Sequence, residues 1–501
     1  MGIPSYFKKL TKSVKGILVS TPSVAVSTLL FDFNCIVYGC LRGPKMPVYT
    51  RETEETWEKC LFEEICRELL TIWRTVGSPR SVFIAVDGVV PMAKIKQQRM
   101  RRFKSVWMAE KELEMGVRKP GEERWDTNAI TPGSAFMERL ATQLKKLADE
   151  KKWSLSTAAE PGEGEHKVMA WLRAGFLEPG SIVIYGLDAD LILLTALAGE
   201  TYLDTRRNPC FLMRETGEFG AVATNPYTFL CVKTLCEALK PGGMGMLPFL
   251  HNYIALMSLL GNDFLPHGMI LTIRSGGHDR ILKILRNAKR LFVDEEGTLQ
   301  IDVFQELFSE LAATEEVDFL EAIQRKQKTR AMPPRTDTER LMQPVQNLPL
   351  QWAVERQFME GSQLSSVWRE TYSEHAPAES VVEYKRGMQW IVDYYMGKEV
   401  DRTWYYPWHL PPLWSMLVAA PGAVPRTSSR LVLQPQEQLA IVLPMESWHL
   451  IRDPKLKRLP ELQPQMWPSR FGFMSIGKTM MWECEADIPI LGPGRLRHVL
   501  G

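Results

Sequence analysis

Three short apolar runs near the start of the chain each end in aspartate. The runs STLLFDF, SVFIAVDG and SIVIYGLDAD predict buried β-strands that end at Asp32, at Asp87, and at Asp188 and Asp190. Segments with a helical pattern, such as AFMERLATQLKKLADEKKW, lie between them. Strands that alternate with helices predict a parallel sheet, which places its sites at the carboxyl ends of the strands. The sequence therefore predicts an acidic site at one edge of a sheet in an α/β fold.

Composition excludes several classes of protein. A chain of 501 residues with 45% hydrophobic and 24% charged residues is typical of a globular protein of two to four domains. The net charge of +2 restricts any nucleic-acid contact to a local patch. Because no apolar run reaches 18 residues, we expect no membrane span. Eight cysteines without a CxxC pair favour free thiols in a reducing compartment.

The pattern changes twice along the chain. Residues 1–275 carry the alternating strands and helices, and residues 276–345 predict a helical connection with a linker. The linker contains the basic, proline-bearing segment RKQKTRAMPPRT. Residues 346–501 are rich in aromatic and proline clusters such as WYYPWHLPPLW. We interpret this last part as a second, mainly helical and irregular region that packs on the first.

Seven carboxylates form the candidate site. Such acids repel one another unless cations neutralise them, and all-oxygen ligands favour Mg²⁺ or Mn²⁺. Seven are too many for one octahedral ion, whereas two ions about 3.5–4 Å apart suit an in-line phosphoryl displacement. The alternative is that these acids are helix caps and solvated side chains. The seven are Asp32, Asp87, Glu163, Glu165, Asp188, Asp190 and Asp263.

A basic helix is predicted directly after Asp87, in GVVPMAKIKQQRMRRFK. Lys94, Gln98, Arg101 and Arg102 fall on one face of it, because they are spaced at i, i+4, i+7 and i+8. Arginine offers phosphate a bidentate fork, lysine a point charge and glutamine an amide donor. The face is therefore a candidate phosphate site, and a solvated basic helix is the alternative.

Aromatic side chains add a candidate for base contacts. Tyr38, Trp390 and Trp404 have π faces on which bases of single-stranded nucleic acid stack without sequence preference. Most tryptophans instead belong to the core. His166 and His267 adjoin the acidic motifs, and we expect them to be structural rather than metal ligands.

An ordered set of motifs resembles the signature of the Xrn family of 5′→3′ exoribonucleases. The second region resembles that family's second conserved region, through GMQWIVDYYMGKEVDRTWYYPWH, QEQLAIVLP and GKTMMWECEADIPIL. The resemblance covers most of the chain and is least clear at about 270–380. The motifs of the first region are MGIPSYFKKL, FDFNCIV, AVDGVVPMAKIKQQRMRRF, ITPGSAFM, PGEGEHKVM, IYGLDADLILL and GNDFLPH.

The resemblance implies a flap-nuclease (PIN-like) fold with a mostly parallel sheet in residues 1–275. It implies a processive exonuclease that degrades RNA with a 5′ monophosphate to nucleoside monophosphates, using two divalent ions. Asp32, Asp87, Glu163 and Glu165 would serve one ion. Asp188, Asp190 and Asp263 would serve the other, with Glu165 shared.

The same resemblance implies roles for the basic and aromatic side chains. Lys94, Gln98, Arg101 and Arg102 would form the 5′-phosphate pocket, and Lys94 would also offset charge during catalysis. Tyr38 would stack on the terminal base together with a tryptophan, Trp404 in preference to Trp390.

The sequence departs from the family at three places. Tyr38 stands where a histidine is usual, Cys35 replaces a glycine, and His251 and Asn252 replace an acidic pair. The replacement at His251 and Asn252 leaves open which side chains hold Asp263 in place. The chain ends directly after the second region, which is the expectation for a short form with the catalytic core alone.

Two other functions fit the same fold. A structure-specific flap endonuclease is one, although no glycine-rich duplex-binding element follows Asp263. A non-catalytic RNA-binding protein is the other, although retention of all seven acids argues against it. The expected partner is single-stranded RNA, with any accessory protein unidentified and no membrane. The expected location is intracellular, where cytoplasm is preferred over nucleus.

Overall fold

The computed structural model describes residues 3, 5–175, 177–204, 206–216, 226–429 and 431–500. Its centre is a seven-stranded sheet in the order β1-β7-β6-β5-β2-β3-β4. Strand β2 pairs in parallel with β3 and β5, and the pairs β3–β4 and β5–β6 are also parallel. The strands are β1 (Leu18–Val19), β2 (Val26–Asp32), β3 (Ser81–Ala85), β4 (Ser154–Ser156), β5 (Ser181–Tyr185), β6 (Cys210–Glu215) and β7 (Tyr227–Cys231). The prediction of a mostly parallel sheet is confirmed.

Helices cover both faces of this sheet, which explains why its strands are apolar without alternation. Leu30 and Ile184 point into one core, whereas Leu29, Phe31 and Val183 point into the other. The helices of the first half are α1 (Tyr6–Ser13), α2 (Asn34–Arg42), α3 (Glu54–Thr75), α4 (Met92–Glu114), α5 (Ala135–Lys151), α6 (Gly164–Ala174), α7 (Asp190–Tyr202), α8 (Val232–Leu239) and α9 (Met246–Met257), with 3-10 turns at Arg51–Thr53, Thr127–Ala129 and Ser258–Leu260.

The second half is mainly helical with two small two-stranded sheets, as predicted. Its helices are α10 (Gly277–Asn287), α11 (Ile301–Ala313), α12 (Glu315–Lys328), α13 (Asp337–Gln346), α14 (Leu348–Trp352), α15 (Trp368–Ser373), α16 (Glu379–Tyr395), α17 (Trp414–Ala419), α18 (Pro435–Val442), α19 (Pro454–Lys457), α20 (Leu459–Leu462) and α21 (Pro493–Leu500). The strands are β8 (Met359–Glu360), β9 (Gln363–Leu364), β10 (Gly472–Met474) and β11 (Glu485–Asp487), and 3-10 turns occupy Val354–Phe358, Met445–Leu450, Pro464–Met466 and Met481–Glu483.

The two halves share one hydrophobic core. Leu282 and Phe308 of the helical connection belong to the same buried cluster as Ile182 of the sheet and Met388 of α16. The second region therefore packs on the first as a continuation of its interior. The predicted boundaries at 275 and 345 stay predictions, because no break in packing marks either one.

The carboxyl ends of β2, β3 and β5 lie side by side. Asp32 pairs with Ala85 across β2 and β3, and Phe31 pairs with Tyr185 across β2 and β5. Asp87 and Asp188 follow these strand ends by two and three residues. The strand register thus brings the three predicted acidic segments to one edge.

Helix α4 is fixed to the second region by a buried arginine. Arg99 is fully buried, and its guanidinium donates to the carbonyl oxygens of Pro489 (2.9 Å), Ile441 (2.5 Å) and Met466. It also lies 4.5 Å from the centre of the Phe103 ring. Burial lowers the pKa of Arg99 to about 9. These bonds hold the helix that carries the predicted phosphate-binding face.

Within the described residues, no helix is both long and apolar enough to cross a bilayer.

We expect Arg99→Met to destabilise the fold by about 3–5 kcal/mol, because it leaves three buried carbonyl oxygens without donors. The denaturant midpoint and the thermal midpoint measure the loss. Arg101→Met is the control, since Arg101 is exposed on the same helix and its replacement should cost less than about 0.5 kcal/mol. Equal midpoints for the two variants would contradict this account of Arg99.

Candidate active site

The predicted acidic and basic residues face one another across a single cavity of about 190 Å³, here called the acidic cavity. One wall comes from the strand ends and the start of α6, and the other from α4. The acid wall carries Asp32, Asp87, Glu163, Glu165 and Asp188, and the basic wall carries Lys94, Gln98, Arg101 and Arg102. Asp190 lies buried at the start of α7, and Asp263 lies in the loop after α9.

A glycine allows the acid wall to close. The Gly164 N–H donates to Asp87 Oδ1 at 2.7 Å, where α6 begins. A Cβ at this position would lie 2.6 Å from Asp32 Oδ1 and 2.8 Å from the Ala85 carbonyl oxygen. Only glycine lets the start of α6, and with it Glu163 and Glu165, approach the ends of β2 and β3 so closely.

Lys94 joins the acids from two parts of the chain. Its Nζ lies 2.6 Å from Glu163 Oε2 and 2.8 Å from Asp263 Oδ2, and all three side chains are nearly buried. Burial alone would lower the pKa of Lys94, but Asp263 and Glu163 raise it well above its usual value. Lys94 therefore remains an ammonium ion and brings Asp263 to the other acids, although Asp263 does not line the acidic cavity.

The remaining carboxylates together carry more negative charge than the single ammonium ion of Lys94 can neutralise. Burial first, and then the neighbouring charges of Asp87 and Asp188, raise the pKa of Asp32 well above its usual range. Burial and Glu163 likewise raise the pKa of Glu165. Burial and Asp263 raise the pKa of Asp190 to about 7. The site therefore has the electrostatic character of a binding site for cations.

Two carboxylate oxygens point to the same conclusion. Glu165 Oε2 and Asp190 Oδ1 are buried and have no hydrogen-bond partner among the described residues. Glu163, Glu165 and His166 also offer ligand atoms that lie within 4.8 Å of one another. Orphaned oxygens beside other carboxylates fit hard divalent cations. The prediction that His166 is structural fits its ring, which lies 3.8 Å from the Tyr394 ring.

Two tyrosines of the second region also hold the acids, and no sequence pattern pointed to them. Tyr394 donates its hydroxyl to Glu163 Oε1 at 2.7 Å. Tyr395 hydrogen-bonds Asp190. Both side chains are buried at the end of α16. A buried phenol that donates to a carboxylate fixes its rotamer and leaves the second oxygen for another partner. The second region thus helps to shape the acid wall.

The basic wall has donors that remain available. Arg102 Nη1 donates to the Asn128 side chain at 3.0 Å, while Arg102 Nε is buried without a partner among the described residues. Gln98 Oε1 accepts from Gln438 Nε2 at 3.3 Å, which leaves the Gln98 amide group as a donor. Arg101 is exposed and has no ion pair among the described residues. All four predicted side chains share one cavity, and their contact with a 5′ phosphate stays a prediction.

Two of the three departures from the family, Tyr38 and Cys35, line the acidic cavity. Tyr38 of α2 is half-buried and lines the cavity together with Arg102. Burial lowers the pKa of Arg102 to about 10, and Tyr38 opposes this shift. Cys35 lies one turn earlier and donates its thiol to the Asp32 carbonyl oxygen at 3.1 Å. Burial first, and Asp32 next, raise the pKa of that thiol well above its usual value, so it remains protonated. Tyr38 is placed where a stacking role is sterically open.

The stacking of Trp404 or Trp390 on a base stays a prediction, and neither ring is exposed in this structure. Both are buried in the core, where Trp390 stacks on Tyr394 at 4.7 Å and Trp404 donates to Glu383. An aromatic cluster in sequence does not tell which ring faces solvent. Among the described residues, Trp482 (46%) and Trp352 (38%) are the exposed tryptophans, and Trp482 lines a cavity that Asp263 also lines.

The third departure from the family, at His251 and Asn252, does not affect Asp263. Asn252 Oδ1 accepts from the N–H groups of Phe292 and Val293 at 2.5 and 3.2 Å. Burial lowers the pKa of His251, which a backbone hydrogen bond to Asp294 opposes. The pair therefore fastens α9 to the segment before α11. Asp263 depends instead on Lys94.

Two family models match this chain. The model described as "XRN 5'-3' exonuclease N-terminus" matches residues 1–208, which include six of the seven carboxylates. The model described as "Xrn1 helical domain" matches residues 362–500, which include both tyrosines of α16. Together the two matches span more than two thirds of the chain. The chain belongs to the Xrn family. Asp263 lies between the two matched parts.

Named relatives of this Xrn family chain come from animals and fungi. The "5'-3' exoribonuclease 2 homolog" of Drosophila melanogaster is 24% identical over the whole chain, which covers 71% of the fly protein. The human "5'-3' exoribonuclease 1" is 25% identical over the whole chain, which covers 34% of it. The "5'-3' exoribonuclease 2" of Cryptococcus neoformans is 32% identical over 59% of the chain, which covers 32% of that protein. The chain thus spans about a third of the human and Cryptococcus relatives.

The raised pKa of Asp190 predicts how stability depends on pH when metal is chelated. The folded protein holds this proton up to about pH 7, whereas an unfolded aspartate loses it near pH 4. The free energy of unfolding should therefore fall as pH rises from about 4 to 7, on the order of 2–4 kcal/mol from this group. Asp190→Asn should flatten that dependence in EDTA, as thermal unfolding between pH 5 and 8 measures.

Added Mg²⁺ should restore the stability that is lost at high pH in EDTA. At pH 8 it should raise the thermal midpoint of the wild type more than that of Asp190→Asn, because the variant lacks one ligand. Asp337→Asn is the control, since it removes a carboxylate that is exposed and does not belong to the site. A pH dependence in EDTA that is unchanged by Asp190→Asn would contradict the assignment.

Proposed function

We propose that this chain is a 5′→3′ exoribonuclease. It degrades single-stranded RNA with a 5′ monophosphate to nucleoside monophosphates, with two divalent cations, Mg²⁺ or Mn²⁺, as cofactors. The observation that carries the proposal is the acidic cavity, where a wall of carboxylates faces a wall of phosphate-binding donors. Family membership and the names of the relatives agree with this activity.

The carboxylates account for the hydrolytic half of the reaction. Divalent cations held by Asp32, Asp87, Glu163, Glu165, Asp188, Asp190 and Asp263 would supply an acidified water and neutralise charge on the scissile phosphate. Tyr394 and Tyr395 hold Glu163 and Asp190 in place for that task. Lys94 reduces the repulsion between the carboxylates and an incoming phosphate, since it stands between the two walls.

The basic wall accounts for recognition of the end. Arg102 Nε and the Gln98 amide are donors without partners among the described residues, and Arg101 adds a charge that forms no ion pair there. We propose that a monophosphate satisfies these donors and that the pocket does not admit a triphosphate or a cap. After each cleavage the new 5′ phosphate binds the same donors, so the RNA strand advances by one nucleotide at a time.

Two aromatic rings that line these cavities are candidates for contacts with the bases. We propose that Tyr38 stacks on the terminal base, and that Trp482 replaces Trp404 and Trp390 as the tryptophan that contacts the strand. Trp482 lines the cavity that shares Arg101 with the acidic cavity, which Tyr38 lines.

We also propose an intracellular location, in the cytoplasm rather than the nucleus. All eight cysteines are free in the structure, which suits a reducing compartment. Imaging of a tagged full chain tests this location.

The double variant Asp188→Ala, Asp190→Ala tests the chemistry. We expect at least about a thousand-fold loss of decay of a 5′-monophosphate RNA in Mg²⁺, because two ligands are removed. Asp337→Ala, which removes an exposed carboxylate, should retain the wild-type rate. Undiminished decay that persists in EDTA would overturn the proposal, and release of internal fragments from an end-labelled flap would favour an endonuclease.

A comparison of 5′ ends tests the phosphate pocket. One single-stranded RNA with a monophosphate, triphosphate or hydroxyl end should be degraded at least about tenfold faster in the monophosphate form. Arg102→Met should narrow the difference between monophosphate and hydroxyl ends, since it removes a donor that only the phosphate uses. Equal rates for all three ends in the wild type would refute the pocket.

A further inference from the structure

A second stripe of side chains on α4 leads away from the acidic cavity. Gln97, Arg101 and Lys104 are spaced at i, i+4 and i+7, so they share a face beside the predicted phosphate face. They line a neighbouring cavity of about 350 Å³, here called the second cavity. Arg101 lines both cavities and connects them.

A third cavity continues in the same direction. This distal cavity, of about 260 Å³, shares His267, Lys478 and Glu483 with the second cavity. Four cations line it, Arg274, Arg325, Lys326 and Lys478, against the single carboxylate of Glu483. The three cavities are therefore linked in series by shared side chains.

Two of the four cations in the distal cavity are neutralised. Lys326 donates to Glu355 Oε1 at 2.7 Å, and Arg274 is paired with Glu483. Arg325 is exposed and has no ion pair among the described residues.

The charge of Lys478 is also not neutralised by a direct partner. Its Nζ donates to His267 Nε2 at 2.8 Å, and His267 Nδ1 donates in turn to the Gly268 carbonyl oxygen. Burial, and then Lys478 itself, lower the pKa of His267 to about 4, so the imidazole is neutral. The carboxylates that act on Lys478 at longer range, Glu485 and Glu483, are already paired with His409 and Arg274.

The second cavity repeats this arrangement. Lys104 donates to the carbonyl oxygens of Trp482 and Cys484 at 2.7 and 2.6 Å, so its charge has no direct carboxylate partner. Arg101, Lys104, Lys478 and Arg325 thus form a succession of cations without a direct carboxylate partner among the described residues, beside Asp263, Glu483 and Glu485 in the second cavity. Successive cations along linked cavities attract a polyanion, and a nucleic-acid strand that starts in the acidic cavity is one.

We propose that the distal cavity is a separate binding site for phosphodiesters of the same RNA strand, downstream of the end that is cleaved, with Lys478 and Arg325 as its contacts. The site rests on the proposed function, because it requires that the 5′ end lies in the acidic cavity. It gives longer strands an additional anchor that short ones do not reach.

The test compares RNA length without turnover. Affinities of 5′-monophosphate oligoribonucleotides of 4, 8, 16 and 24 nucleotides are measured by fluorescence anisotropy in EDTA, for the full chain and for the double variant Lys478→Gln, Arg325→Gln. We expect the variant to bind the 4-mer as the wild type does and to bind the 16-mer about tenfold more weakly. The slope of log affinity against log salt for the 16-mer should fall by about 1.4, the value for two phosphate contacts on a single strand.

The control is Lys328→Gln, Lys457→Gln, which removes the same charge from two exposed lysines outside the cavity. It should leave both measurements unchanged. A variant that matches the wild type at every length, that is weakened equally at every length, or whose loss the control reproduces would overturn the distal site. If the wild type binds no RNA of any length in EDTA and degrades none in Mg²⁺, the proposed function fails rather than this inference alone.

Discussion

The ammonium group of Lys94 is the contact on which the site depends. It lies between Glu163 and Asp263, which belong to segments a hundred residues apart, and all three side chains are withdrawn from water. Buried charges cost free energy unless they are paired with good geometry. Without this cation, the loop that carries Asp263 would lose its ion pair at an edge already crowded with acids. Lys94 thus assembles the site before any metal is bound.

Helix α4 carries this lysine and is constrained on several sides. One face contributes the basic wall, the next contributes Arg101 and Lys104 to the second cavity, and Arg99 is buried against carbonyl groups of the second region. Because three faces of one helix are engaged, a small rotation would disturb the acids, the phosphate donors and the interface together. The packing of α4 on three sides accounts for how a site assembled from strand ends, helix starts and loops keeps its geometry.

Much of the acid wall was predictable, because strand ends of a parallel sheet meet at one edge whatever lies between them. Asp32, Asp87 and Asp188 could be placed by that rule alone. Glu163, Glu165 and Asp263 were placed by family resemblance, since no local pattern tells where a loop folds back. The basic wall followed from helical spacing. Each of these predictions used a regularity that is visible within a few residues.

The rest depended on packing between distant segments. Tyr394 lies more than two hundred residues from Glu163, and in the sequence it resembles any other core aromatic. The burial of Trp404 and Trp390 was not predictable for the same reason, because burial is decided by neighbours that the local sequence does not name. The ring of Trp390 stacks on Tyr394, so its contribution to the site is made through that tyrosine.

The hydroxyl contacts of Tyr394 and Tyr395 have a consequence for how this family can vary. Glu163 and Asp190 belong to the first matched region, and the phenols that orient them belong to the second. Neither region contains a complete set of catalytic ligands together with their supports. The two halves must therefore be inherited as a unit, and hybrids that join the front of one member to the back of another would function only where the tyrosine pair and its carboxylates still correspond.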